Sequence, residues 1–321
     1  MTAGFKHVYG PVPSRRLGRS LGIDLVPYKT CTYDCVYCHL GRTTNKTVER
    51  KEYVAVDDVI AELERKLSAG PAPDYISLAG SGEPTLNLCI GDLIDRIKHL
   101  TRIPVAVLTN GSLLWMPAVR GALMNADLVI PSLDAGTEAL FRHVNRPHGD
   151  ITFEKMVQGL AEFTEQFPGS VWLEVFLLAG ITGIPSEVVM ISAFTRFIHP
   201  ERVQLNTVCR PPAEDFAFSV SPEQMLVFRS LFPGHVDIDI ISERERSGAS
   251  NATSQVGDED ILALLRRRPC TADDIASGLG IHMMEALKQL EALTSAGKVK
   301  TVVTNGRNFY IVAGAEEASR S

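Results

Sequence analysis

Cys31, Cys35 and Cys38 fall within eight residues, in the spacing Cys-x-x-x-Cys-x-x-Cys, whereas Cys89, Cys209 and Cys270 are scattered. Three thiolates on one short loop can hold three irons of a [4Fe–4S] cubane and leave the fourth iron open to chelate a small molecule. A fourth cysteine would close the cluster for electron transfer alone. The competing reading is a zinc site with His39 as fourth ligand, although adjacent Cys38 and His39 are awkward partners for one tetrahedral ion. Six cysteines in 321 residues are too sparse for a disulfide framework, and the three scattered ones suit small core positions.

Further polar residues stand at the ends of apolar runs. Tyr75–Ala79 leads into Gly80-Ser81-Gly82-Glu83-Pro84, where glycines let a backbone approach a ligand and a carboxylate can accept from an ammonium. An ordinary turn with a solvated glutamate fits the same residues. Thr109-Asn110-Gly111 and Ser132-Leu133-Asp134 close two more runs, though Asn-Gly is a common turn and Asp134 could cap a helix. Glu174 lies within the apolar stretch LEVFLLAG, and a buried carboxylate there needs a ligand or an arginine. Asn206 ends a sixth run. Arg15, Arg16 and Arg210 flank the first and last runs; their guanidinium forks suit a carboxylate or phosphate and equally suit internal ion pairs.

The elements that must position these residues alternate. Strand-like runs cover Gly22–Pro27, Tyr75–Ala79, Val105–Thr109, Leu128–Ser132, Val171–Leu178 and Val203–Thr207, with a further run at Val236–Ile241. Helical periodicity predicts helices over Val56–Ala69, Leu88–Leu100, Pro117–Met124, Phe153–Gln166 and Pro185–Ile198. Strand–helix alternation implies an α/β body of parallel strands, either an open doubly wound sheet or a curved incomplete barrel. Either gathers chemistry at the carboxyl ends of the strands. A core domain over residues 1–245 is followed by a polar linker at 246–257, a small unit at 258–313 and a disordered tail at 314–321. The small unit reads as three helices, Asp258–Arg268, one capped by Thr271, and His282–Ala296, then a hairpin turning at Asn305-Gly306. That is the winged-helix order.

The chain carries a formal net charge of −6, which gives no general electrostatic reason to expect nucleic acid. The small unit has seven acidic and seven basic residues, and its would-be recognition helix a single lysine. A docking, substrate-presenting or lid role suits it better than duplex DNA. Arg266-Arg267-Arg268, Lys298, Lys300 and Arg307 keep RNA contact open without favouring it. No apolar run reaches the roughly 18–20 residues needed to cross a bilayer, and the first residues lack the apolar core of a secretory signal, so the cytoplasm is expected.

With Tyr37 before the third cysteine, the sequence resembles the radical S-adenosylmethionine (SAM) superfamily. More narrowly, GPVPSRRLGRSLGIDLVPYKTCTYDCVYC resembles the iron–sulfur oxidoreductase branch related to the wyosine (tRNA imidazoguanine) synthases. The resemblance implies a partial (β/α)6 TIM-like barrel. It implies one [4Fe–4S] cluster on Cys31, Cys35 and Cys38 with SAM on the open iron. Reductive cleavage of SAM would then give a 5′-deoxyadenosyl radical that takes hydrogen from an unidentified substrate. Gly82 and Glu83 would hold the methionine amino group, with Tyr37, Gly80, Asn110, Ser132, Asp134, Glu174 and Asn206 as further SAM contacts and Arg15, Arg16 and Arg210 facing substrate. A reductant such as flavodoxin or ferredoxin is the implied partner. The alternative is an iron–sulfur or zinc-binding regulator acting through the winged helix.

Overall fold

The computed structural model describes residues 5–241 and 257–313. Its strands are β1 (Val8–Ser14), β2 (Gly18–Ile23), β3 (Thr30–Cys31), β4 (Asn45–Lys46), β5 (Tyr75–Leu78), β6 (Val105–Thr109), β7 (Leu128–Pro131), β8 (Ser170–Leu177), β9 (Arg202–Thr207), β10 (Asp237–Ile240), β11 (Val299–Thr304) and β12 (Arg307–Val312). The α-helices are α1 (Val56–Ala69), α2 (Ile90–Leu100), α3 (Pro117–Leu123), α4 (Glu138–Val144), α5 (Phe153–Gln166), α6 (Pro185–Ile198), α7 (Pro222–Arg229), α8 (Asp258–Leu265), α9 (Ala272–Leu279) and α10 (Met283–Ser295).

One eight-stranded sheet runs β1-β2-β5-β6-β7-β8-β9-β10. Every pairing from β2 to β10 is parallel, and β1 is antiparallel to β2. Chain order and sheet order coincide from β2 onward, so each right-handed crossover steps the same way and puts its helix on the same face. A doubly wound sheet would reverse at a switch point. The sheet is therefore an incomplete barrel, with β1 and β10 as its edges among the described strands.

Strand alternation divides the side chains between two apolar layers. Leu78, Val107, Val129, Leu173, Val175 and Leu205 join the helices' Leu63, Ile94, Leu123, Leu160 and Ile191 in the main core. Ala106, Leu128 and Ile130 face the other way, packing with Leu17, Leu108 and Trp172 as a plug inside the barrel. Helix signals are local: Asp57 and Asp58 lie in the first turn of α1, and the Thr152 hydroxyl caps α5 by accepting from the Lys155 N–H.

Residues 257–313 have their own apolar cluster, including Ile261, Leu265, Ile275, Leu290 and Val299. Thr271 and Asp274 make a capping box on α9, and Gly280 ends that helix in the left-handed region. The unit packs α9 against β1 and so covers an edge of the large sheet.

Several boundaries differ from those predicted. The first parallel strand is Gly18–Ile23 rather than Gly22–Pro27, and β1 precedes it where no strand was expected. Pro11 and Pro13 argue against a central strand, but β1 is an edge with a bulge between Tyr9 and Val12, where proline is tolerated. Its pairing draws the polar Gly18–Ser20 into β2. Helices α4 and α7 also escaped the reading; both are only two turns long. Positions 246–256 of the expected linker and the tail 314–321 lie outside the described residues.

Candidate active site

After β2 the chain crosses the carboxyl ends of the strands. There β3 pairs with β4, and Thr30 bridges to Gly82. The Cys38 N–H donates to the Cys35 carbonyl at 3.1 Å and the Gly41 N–H to that of Cys38 at 3.0 Å, folding the loop into successive turns. Asp34 closes it, its carboxylate accepting from the Thr43 N–H at 2.7 Å and Arg42 Nε at 2.8 Å. The end of α4 anchors it: the Asn145 and Val144 carbonyls accept from the Asp34 and Val36 N–H groups.

Two side-chain amides approach the sulfurs, Asn110 Nδ2 at 3.6 Å from Cys31 Sγ and Asn145 Nδ2 at 3.5 Å from Cys35 Sγ. Burial, with Glu83 nearby, pushes the Cys31 thiol up to about 12. Burial and Asp134 hold Cys35 well above its ordinary value, and burial raises Cys38. Thiols held above their ordinary value in this way ionise when a metal cation takes the proton's place. Among the described residues, no three His, Cys, Asp or Glu side chains converge on one ion. Zinc would need its ligands within about 2.3 Å of a single point, whereas cubane thiolates bind different irons. His39, the suggested fourth zinc ligand, is exposed to solvent.

The loop after β5 presses against the cysteine loop. Gly80 has φ +132°, and a Cβ there would lie 1.7 Å from Asp24 Oδ1; one on Gly82 would lie 1.8 Å from the Thr30 carbonyl oxygen. Only glycine gives this approach. Glu83 is 2 % exposed and not solvated, so the ordinary-turn alternative does not describe it. Its Oε1 accepts from the Thr85 N–H (3.0 Å) and hydroxyl (2.6 Å) and from the Thr109 hydroxyl (2.6 Å); Oε2 accepts from the Asn110 N–H (2.8 Å). Burial outweighs these donors and leaves its pKa raised. The carboxylate thus ties the glycine loop to the end of β6.

Asp134, after β7, is buried rather than capping a helix. It accepts from the Tyr37 hydroxyl at 2.5 Å, Asn145 Nδ2 at 2.7 Å and the Phe176 N–H at 3.2 Å. Burial raises its pKa to about 6 against the pull of these donors. The Tyr37 ring stacks on Phe176 with centroids 4.0 Å apart. Ser132 bridges to Glu174 across the strands.

Deeper in the barrel, the Glu174 carboxylate is paired with Arg16 and accepts from Asn206 Nδ2 at 2.7 Å. The arginine that a buried glutamate required is therefore Arg16. Arg210 turns to the small unit, donating to the Pro269 carbonyl at 3.2 Å and lying 3.5 Å from Asp274. Among the described residues Arg15 has no hydrogen-bond or ion-pair partner.

Tyr37, Glu83, Asn110 and Asp134 thus meet around the cysteine loop, while Glu174 and Asn206 lie below. Sequence reasoning missed Asn145, Phe176 and Asp24. Asn145 follows α4, and its role is visible only once that helix end meets the loop.

A sequence profile described as the radical SAM superfamily matches residues 25–188, which hold all three clustered cysteines. The chain is 32 % identical over 309 residues to a UPF0026 protein of Methanocaldococcus jannaschii, covering 94 % of this chain and 95 % of that one. It is 41 % identical over 307 residues to a Brachyspira hyodysenteriae protein named GTPase Obg, covering 96 % of this chain but only 45 % of that longer protein. The fold resembles a radical SAM methyltransferase from Sphaerobacter thermophilus, with a TM-score of 0.54, 18 % identity and coverage of 69 % of this chain and 65 % of that one. The matched cysteine segment and the shared barrel place the chain in the radical SAM superfamily, whose members are enzymes that bind a [4Fe–4S] cluster and SAM.

Proposed function

We propose that Cys31, Cys35 and Cys38 hold a single [4Fe–4S] cluster, and that SAM lies along the Gly80–Glu83 loop for hydrogen abstraction from an unidentified substrate. The observation carrying this reading is one loop with three half-buried sulfurs, two of them met by the Asn110 and Asn145 amides, packed against a glycine cradle. The buried and unpartnered Asn145 Oδ1 supports a further polar group beside it. When bound, the reduced cluster and SAM supply the 5′-deoxyadenosyl radical. The chain's residues bind and orient. Gly80 and Gly82 give the backbone approach, Glu83 offers a carboxylate lone pair to the SAM ammonium, Tyr37, Asn110, Ser132 and Asp134 stand around it, and Glu174 and Asn206 lie below as further contacts.

In this reading residues 1–245 form the catalytic body, 246–257 a linker, and 258–313 a winged-helix-like lid or docking module. Flavodoxin or ferredoxin supplies the electron, and the cytoplasm is the compartment. The resemblance to the wyosine-synthase branch, over about residues 8–245, does not make tRNA the substrate. The regulator alternative gives way, because the family is one of enzymes.

Anaerobically reconstituted protein is expected to contain iron and sulfide near four each, to absorb broadly near ~400 nm and to bleach with dithionite. Dithionite and SAM then yield 5′-deoxyadenosine, and Cys35→Ala abolishes it. Persistence of that product in the variant would remove the cluster assignment.

A further inference from the structure

The barrel holds a cavity of about 220 Å³ beneath the candidate active site, and its polar walls are incompletely satisfied. Arg15 and Arg16, from the turn between β1 and β2, line one side; Arg202, Gln204 and Asp239 of β9 and β10 line the other. Register explains the second wall. Glu174, Gln204 and Asp239 are partners across β8, β9 and β10, so their side chains form one row on the inner face.

The ends of that row are neutralised: Glu174 is paired with Arg16, and Asp239 with Arg202 at 2.9 Å. Its middle is not. Gln204 is 1 % exposed, and its Oε1 has no partner among the described residues. Arg16 Nη1 and Arg202 Nε are likewise buried without acceptors. Among the described residues Arg15 makes no ion pair or hydrogen bond, and burial lowers its pKa, with Arg210 and Arg16 adding to the fall and Cys209 and Glu174 opposing it. Three orphaned polar atoms on one cavity are far from the usual satisfaction of buried groups.

We propose that this cavity is the substrate pocket and that it takes a small acid, whose anionic oxygens lie on Arg15 and Arg16 Nη1 while the Gln204 amide engages an adjacent polar group. This rests on the radical SAM reading above. The volume corresponds to about seven waters, below the ~300–1,000 Å³ of drug-sized sites, so the group inserted is metabolite-sized. Its position suits the chemistry. Glu174 is two residues below Phe176, which stacks on Tyr37 beside Cys38, and two strand residues span about 7 Å.

The test uses reconstituted full-length protein saturated with SAM, so that SAM's own carboxylate is already placed. Calorimetric titration at fixed ionic strength compares malonate, inorganic phosphate and the neutral malonamide. Malonate or phosphate is expected to bind saturably, at least ten-fold tighter than malonamide, and the tighter anion names the acid class. Arg15→Gln should weaken that anion at least ten-fold, and Arg15→Lys should restore part of the loss. Gln204→Glu, which keeps size but adds charge, should also weaken it. Equal binding of malonate and malonamide, or wild-type anion affinity in Arg15→Gln and Gln204→Glu, overturns the pocket. Iron content and SAM binding in the same samples judge the cofactor reading separately; if that fails, anion titration of the cluster-free chain still decides the pocket.

Discussion

Asn145 caps the end of α4 and donates its amide both to Asp134 and toward Cys35 Sγ. Hydrogen bonds to cluster sulfurs stabilise the more negative, reduced state. Asn145→Leu is therefore expected to load a cluster but to shift its midpoint to more negative potential. The variant should also yield less 5′-deoxyadenosine with a mild reductant than with dithionite. A spectroscopically monitored redox titration reads the shift, and an unchanged midpoint would mean that the amide does not act on the cluster. Asn110 stands in the same relation to Cys31, but its backbone N–H also holds Glu83, which makes Asn145 the cleaner probe.

At the scale of elements, α1 fixes the N-terminal edge through one side chain. Glu62 is 6 % exposed and accepts from the N–H groups of Lys6, His7 and Val8 at 2.8–2.9 Å. Burial alone would raise its pKa, but the three donors outweigh it and leave the pKa below the ordinary 4.5. A depressed carboxyl contributes stability that is complete above 4.5 and is lost as the pH falls through the folded value. Glu62→Gln turns an amide toward donors that need an acceptor, at a cost of about 1–3 kcal/mol near neutrality. Denaturant unfolding from pH 7 to 3 should show that gap narrowing only below about 4.5. A gap constant with pH would place the effect in packing rather than charge.

On the scale of the whole molecule, the small unit is tied into the catalytic body. Arg267 pairs with Asp24, both side chains under a fifth exposed, and lies over the Tyr9 ring at 4.2 Å. Asp24 Oδ1 in turn accepts from the Ser81 N–H at 2.7 Å, inside the loop proposed to cradle SAM. A cation in the C-terminal unit thus steadies that turn, far away in sequence, and it is not free for RNA. Arg267→Met leaves Asp24 buried and half-satisfied, at a cost of about 3 kcal/mol. The expected result is lower thermal stability together with weaker SAM binding, measured by equilibrium dialysis on the folded variant. Loss of stability with unchanged SAM affinity would confine the pair to a structural role.

By itself the sequence determined what depends on neighbours along the chain. The cysteine spacing marked one loop of three clustered thiols, helical periodicity gave α1, α5 and α6 to the residue, and a glutamate inside apolar β8 announced a buried partner. Tertiary structure decided what depends on which elements meet. Monotonic strand order made the sheet a barrel, edge pairing turned the proline-bearing Val8–Ser14 into a strand, and packing chose Arg16 for Glu174 and Arg210 for the small unit. The physical reason is range: periodicity, capping and turn chemistry act over a few residues, whereas the pairing of buried charges and the walls of a cavity are set by segments brought together from distant parts of the chain.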